Sequence, residues 1–218
     1  MKKVLIGSYL LIVIIGIIVV YSNNSLKDNK DPKAIAAGEK VYNQQCIACH
    51  GETGKGEGAK AGTALNNQHF LSAFTDKDIY NSVKYGREGT AMPGFGSMVS
   101  EKDLTNMVAY IRDWQTEDLK LTAPKTIAGN LENGNKLYNL YCLSCHGEQG
   151  AGKLNMGTSL ASPQFLKYTT DQQIWNATAY GREDTRMGPS LKGLEGVRQL
   201  KKDDITDVVT YVRTFQKK

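Results

Sequence analysis

"CIACH" at residues 46–50 and "CLSCH" at residues 142–146 are the stretches that decide how this 218-residue chain is read. Each holds two cysteines about one helical turn apart, with a histidine directly after the second. Outward from them the sequence repeats. "GEKVYNQQCIACHGETGKG" begins at Gly38 and "GNKLYNLYCLSCHGEQGAG" at Gly134, an offset of 96. "YGREGTAMPG" from Tyr85 returns as "YGREDTRMGP" from Tyr180, an offset of 95. "KDLTNMVAYIRDWQ" from Lys102 returns as "DDITDVVTYVRTFQ" from Asp203, an offset of 101, so six residues are gained after Met187. Two copies in one order make a duplicated domain, not a solenoid. The expected organisation is a first domain over 32–115, a linker over 116–130 and a second domain over 131–218.

Within each copy the apolar spacing is helical. Pro32 to Asn43 is predicted as a first helix with proline near its start. Thr75 caps a second, which ends before Gly86. Ser100 caps a third, in which Leu104, Met107, Val108, Ile111 and Trp114 recur every three or four residues on one face. Ile205, Val208, Val209, Val212 and Phe215 repeat that face. No alternating strand pattern is convincing, and the fold class is all-α. Gly38 and Gly134 are expected to let the first and last helices of each copy cross closely against Tyr110 or Tyr211.

Three chemistries compete for the cysteines. A redox-active dithiol needs strands around it and no adjacent histidine. Zinc held by paired CxxC motifs takes spacings of about 12–20 residues between pairs, whereas 92 residues separate Cys49 from Cys142. CxxCH is the attachment pattern of a c-type haem. Two thiols add to the two vinyl groups, and the histidine beside the second falls beneath the iron. Cys46, Cys49, Cys142 and Cys145 are therefore read as anchors of two covalently bound haem c groups, with His50 and His146 as iron ligands.

The second axial position separates carrier from catalyst, since a Met/His pair raises the potential and suits electron transfer. Met92 lies 42 residues after His50, and Met187 lies 41 after His146. Both sit in glycine- and proline-containing loops, which suit a ligand better than a core filler. His69 has Gln164 as its counterpart and is read as a surface or loop histidine. Arg87 and Arg182 precede the two methionines; a haem carboxylate or plain solvent are the two readings for them.

The N-terminus reads MKK and then 18 uncharged positions, Val4 to Tyr21. As a helix these span about 27 Å, near the thickness of a bilayer core. Residues 1–22 are expected to be a membrane anchor, with a cleaved signal peptide as the other reading, and 23–31 a polar tether. Either sends the haem domains to the periplasmic or extracellular side of the cytoplasmic membrane.

CxxCH, a methionine in a proline-containing loop some forty residues on, and a terminal amphipathic helix together resemble class I c-type cytochromes, twice over. The resemblance covers about 33–115 and 130–217. It implies three or four helices wrapped around each haem, and a tandem pair resembles dihaem cytochromes serving quinol-oxidising complexes and terminal oxidases. The implied function is a relay of single electrons between a redox-protein donor and acceptor. The rival class is a dihaem peroxidase or sulfur-compound dehydrogenase, which needs one open iron. From Thr122 onward thirteen Lys/Arg stand against nine Asp/Glu, and in 32–121 ten stand against eleven. The basic excess around Arg186, Lys192, Arg198, Lys201 and Lys202 suits an acidic partner or is a solvated loop. Nucleic acid has no support as a partner.

Overall fold

Each repeat begins with a helix whose cap is written in its first residues. A computed structural model describes residues 31–58 and 62–215. The expected anchor at 1–22 lies outside these, and no helix among the described residues is long and apolar enough to cross a membrane. The first repeat contains α1 (Pro32–Gln45), α2 (Ile47–His50), α3 (Gln68–Ala73), α4 (Asp76–Tyr85) and α5 (Glu101–Asp113). The second contains α6 (Leu131–Tyr141), α7 (Leu143–His146), α8 (Pro163–Tyr168), α9 (Asp171–Tyr180) and α10 (Lys202–Arg213). Among the described residues there are isolated bridges but no strand.

The expected starts hold. Asp31 caps α1 by accepting from the Lys33 amide. Thr75 and Asp78 form a reciprocal capping box on α4, as Thr170 and Gln173 do on α9. Ser100 accepts from the Asp103 amide at 3.1 Å to start α5. The first helix runs two residues past the expected Asn43, carrying the chain straight into Cys46.

α1 crosses α5, and α6 crosses α10, at the two glycines anticipated from sequence. A Cβ on Gly38 would lie 2.0 Å from the Asn106 carbonyl oxygen, and one on Gly134 2.1 Å from that of Asp207. Only glycine permits backbones this close. Two cores result. The first gathers Tyr42, Leu71, Ile79, Leu104, Met107 and Ile111, the second Tyr138, Leu166, Trp175, Ile205, Val209 and Val212. Each large apolar side chain so buried contributes about 1.5–3 kcal/mol.

A repeated arginine ties the last helix down. Arg112 donates to Asp76 at 2.8 Å and to the carbonyls of Leu71 and Phe74. Arg213 does the same with Asp171, Leu166 and Thr169. These guanidinium groups close the carbonyl ends of α3 and α8 against the following helices.

The repeats meet through α3 on α9 and α4 on α8. Tyr85 and Tyr168 stack there, with centroids 4.9 Å apart and planes 10° apart. Gln173 donates to the Ala73 carbonyl at 3.2 Å and to Asp78 at 2.8 Å. The linker is strapped to both sides, through Ser72 to Glu117 and Leu119 and through Gln172 to Pro124 and Lys125.

Candidate haem sites

The cysteines lie on one tight turn in each repeat. Cys46 ends α1 and opens α2, and the Cys49 and His50 amides both return to its carbonyl, at 3.0 and 2.9 Å. Cys142 does the same for Cys145 and His146, at 3.2 and 2.8 Å. None of the four is joined in a disulfide. Burial, with the neighbouring cysteine adding, pushes Cys46 up to about 12. Burial likewise pushes Cys142 up to about 11, against the opposing charge of Arg198.

The histidines are locked in one orientation. His50 Nδ1 lies 2.8 Å from the Thr63 carbonyl, and His146 Nδ1 lies 2.8 Å from the Thr158 carbonyl. A carbonyl only accepts, so Nδ1 carries the proton and Nε2 keeps its lone pair for a metal. Burial lowers the pKa of both rings and favours this neutral form; Arg87 adds to the effect at His50, and Arg182 and Arg198 add to it at His146. The turn is closed by a tyrosine from the preceding helix: Tyr42 donates to the Gly51 carbonyl and Tyr138 to that of Gly147, both at 2.7 Å.

The methionine loops are built alike. The Arg87 amide donates to the Met92 carbonyl at 2.9 Å, and the Thr90 hydroxyl accepts from the Met92 amide at 3.2 Å while donating to the Arg87 carbonyl. In the second repeat Arg182 and Thr185 hold Met187 by the same three bonds, at 2.6, 3.1 and 2.7 Å. Gly86 and Gly181, at φ of +63° and +71°, let each loop fold back onto the helix end. Both methionines are half-buried. Met92 packs against the same cluster that holds Cys46, whereas Met187 stands outside the second cluster, which Cys142 touches.

Each repeat therefore offers two thiols on one turn, an imidazole whose Nδ1 is engaged and a methionine whose backbone is held in its loop, the types of donor a c-type haem takes. Thr63, Thr158, Thr90, Thr185 and the two tyrosines were not singled out from sequence. The signal of Thr63 and Thr158 was there, since "GTALNNQHFL" from Gly62 and "GTSLASPQFL" from Gly157 align at offset 95, and the other four lie inside the repeats already quoted.

Two expectations change. His69 is not on a loop but in α3, where it is half-buried, and its Nδ1 is buried without a partner among the described residues. It shares a small cavity between the repeats with Asn176, whose Oδ1 is also unpartnered, and with Arg182. Arg87 and Arg182 are not solvated arginines; both are half-buried and reach the opposite repeat. The residues gained after Met187 form a turn-rich loop closed by the Leu191–Leu200 bridge. From it Arg198 donates to the Gly188 carbonyl at 2.7 Å, beside the methionine.

Residues 33–111 match the family described as cytochrome c oxidase, cbb3-type, subunit III, and residues 131–216 match the cytochrome c family. The cbb3-type cytochrome c oxidase subunit CcoP of Azospirillum brasilense is 29% identical over 159 residues, covering 66% of this chain and 51% of that protein. Subunit FixP of Azorhizobium caulinodans is 30% identical over 163 residues, covering 69% and 53%. The chain thus spans about half the length of the curated relatives it matches. Among solved structures, a chain of the reducing HAO-like protein complex of Kuenenia stuttgartiensis aligns with a TM-score of 0.51 at 19% identity, over 83% of this chain and 96% of that one. That likeness speaks to the fold alone.

Proposed function

We infer that this tandem of two cytochrome c domains, carrying two covalent haem c groups, relays single electrons between redox partners of a respiratory chain. When bound, each haem supplies a one-electron iron couple. The residues do the rest. Cys46 with Cys49, and Cys142 with Cys145, fix the groups covalently. His50 and His146 present Nε2, with Thr63 and Thr158 preventing the ring from turning. Met92 and Met187 supply the second ligand, each with its backbone held by an arginine amide and a threonine hydroxyl. The observation that carries this reading is that both repeats hold one frame, histidine to threonine carbonyl and methionine to arginine amide, with no donor missing from either copy.

Two closed iron sites suit transfer of electrons better than binding of a substrate. Because the named relatives are subunits of cbb3-type oxidases, we place a terminal oxidase among the partners, with this chain a subunit of it or a carrier serving it. The apolar residues 4–21 would hold the chain to the cytoplasmic membrane, with the haem domains on its outer side. The deciding experiment is the visible spectrum of the purified protein, oxidised and reduced, with carbon monoxide added to the reduced form. The methionine-to-ferric-iron band at full strength for two haems, with no carbon monoxide adduct, is expected. An adduct at one haem replaces the relay with the rival enzyme class. Co-purification with oxidase activity from detergent-solubilised membranes tests the partner.

A further inference from the structure

Each methionine loop opens on a turn. The Arg87 carbonyl accepts from the Thr90 amide at 3.1 Å and the Arg182 carbonyl from the Thr185 amide at 3.2 Å. Gly89 and its equivalent Asp184 take positive φ there, +76° and +56°. A turn of this kind leaves backbone groups of its central residues over for partners outside it. Both loops find one in the opposite repeat. The Glu88 amide donates to Gln164 Oε1 at 2.8 Å, and Gln164 Nε2 lies 3.5 Å from the Glu88 carboxylate. The Glu183 carbonyl accepts from Asn67 Nδ2 at 2.7 Å.

Glu88 and Glu183 are repeat equivalents at offset 95, yet the residues that reach them are not. Gln164 corresponds to His69, and Asn67 to Ser162. What the two bonds share is their place in the fold, the start of a short helix: Asn67 caps α3, and Gln164 lies in the first turn of α8. The arginine that opens each turn rests on a ring of the same helix, Arg87 over Phe165 and Arg182 over Phe70, each 5.3 Å from the centroid. Asn67 has two tasks. Its Oδ1 accepts from the Phe70 amide at 2.9 Å, which leaves Nδ2 to reach across, and only 5% of the residue is exposed. Ser162 makes no side-chain cap and donates instead to Gln164 Oε1 at 3.2 Å. Lys55 and Asp184 also meet across the seam at 3.6 Å, but both are exposed and such a pair contributes little.

We propose that Asn67 and Gln164 are positioning residues that act across the seam: Asn67 of the first repeat holds the Met187 loop, and Gln164 of the second holds the Met92 loop. This rests on the reading of Met92 and Met187 as axial ligands and deepens it, because the hold on each ligand is then set partly by the repeat that does not carry it. Bonds within a repeat shape the loop. The bond from the other repeat fixes where that loop stands, and a loop freed of it releases its methionine more often.

The test is imidazole binding to the oxidised, haem-loaded full chain, followed by NMR, in which each methionine methyl held by iron gives its own shifted signal. Met92→Ala and Met187→Ala assign the two signals. Imidazole takes the position only while methionine is off, so its apparent affinity scales with the open fraction. Asn67→Ser installs the second repeat's residue, and Asn67→Asp keeps shape and cap but has no donor when ionised. Each is expected to tighten imidazole binding at the Met187 iron by about five- to tenfold, and to leave the Met92 iron unchanged. Gln164→Leu is expected to do the reverse, by about two- to fivefold, since its contact is more exposed. A change confined to the haem of the mutated repeat, an equal change at both, or none at all overturns the proposal. Should Asn67→Ser load haem poorly through loss of α3, Asn67→Asp decides with its cap intact. A wild type lacking one of the two methyl signals is failure of the ligand reading itself, and takes this proposal with it. Two intact signals without the crossed pattern are failure of the proposal alone.

Discussion

The two haem sites share a frame and differ in what surrounds it. The histidine, threonine, tyrosine, arginine and methionine bonds recur in both repeats within a few tenths of an ångström. Around that frame the first repeat is closed: His50 is buried at 7% exposure, and Cys46 touches Met107 with 3.4 Å between sulfurs. The second is more open. His146 and Cys142 are half-buried, and Leu140, Tyr141, Leu154, Met156 and Val197 are exposed. Duplication has kept the bonds around the candidate ligands and varied their surroundings, which are what tune access and potential at such a site. In the second repeat Arg186 reaches Met156, and Arg198 reaches the Gly188 carbonyl beside Met187.

The largest test of equivalence is to remove each methionine. Met92→Ala and Met187→Ala should each abolish half of the methionine-to-iron band and open one iron to carbon monoxide. The midpoint of the altered haem should fall by about a few tenths of a volt, within the roughly 0.8 V that axial ligands command. Because Met92 packs in its core and Met187 does not, Met92→Ala should also cost about 2 kcal/mol in its own domain. An equal loss of stability in both variants breaks the contrast.

Next is the shared helix crossing. Gly38→Ala and Gly134→Ala would each force a methyl into a carbonyl, at 2.0 and 2.1 Å. About 3 kcal/mol of destabilisation is expected from either, near 12 °C or more in the melting temperature of a domain this size. Similar losses sharpen the claim of one frame; a tolerated substitution in one repeat refutes it.

A smaller effect tests the tyrosines. Tyr42→Phe and Tyr138→Phe leave a carbonyl without its donor and should each cost about 1–3 kcal/mol in urea unfolding. Burial raises both phenols well above their ordinary value. The folded phenol therefore stays protonated where the unfolded one ionises, above a pH of about 10. The wild type should lose stability as pH rises through that value, and each phenylalanine variant should lose less. Parallel curves for wild type and variants would remove the tyrosines from the account.

Much of this was legible in the repeat. Cysteine, histidine and methionine spacing singled out the candidate site residues, and glycine and tyrosine at matched positions located the helix crossings. What the residues left out was the relation between copies. Arg87 and Phe165 are 78 positions apart, and nothing in hydrophobic period or capping chemistry pairs them. They meet because α3 packs on α9 and α4 on α8, a choice made by side-chain fit across the seam. His69 was misplaced for the same reason, since its helix is short and its buried face is supplied by the other repeat.

The smallest expected effect is the most pointed, because it concerns one sulfur. Met107 is fully buried against Cys46, and its counterpart is Val208. Methionine fills an irregular gap that a branched side chain cannot. Met107→Val should therefore leave part of the space beside the first thioether anchor unfilled, at a cost of about 1 kcal/mol. That corresponds to about 4–8 °C in the first domain and nothing in the second. The reciprocal Val208→Met forces extra atoms into a core already complete and should cost about 1–3 kcal/mol. If Met107 sets how tightly the first site is closed, its replacement moves the midpoint of the first haem toward that of the second. A midpoint that stays put, while stability falls as expected, would show that the difference between the sites lies in the exposed rim and not in the core.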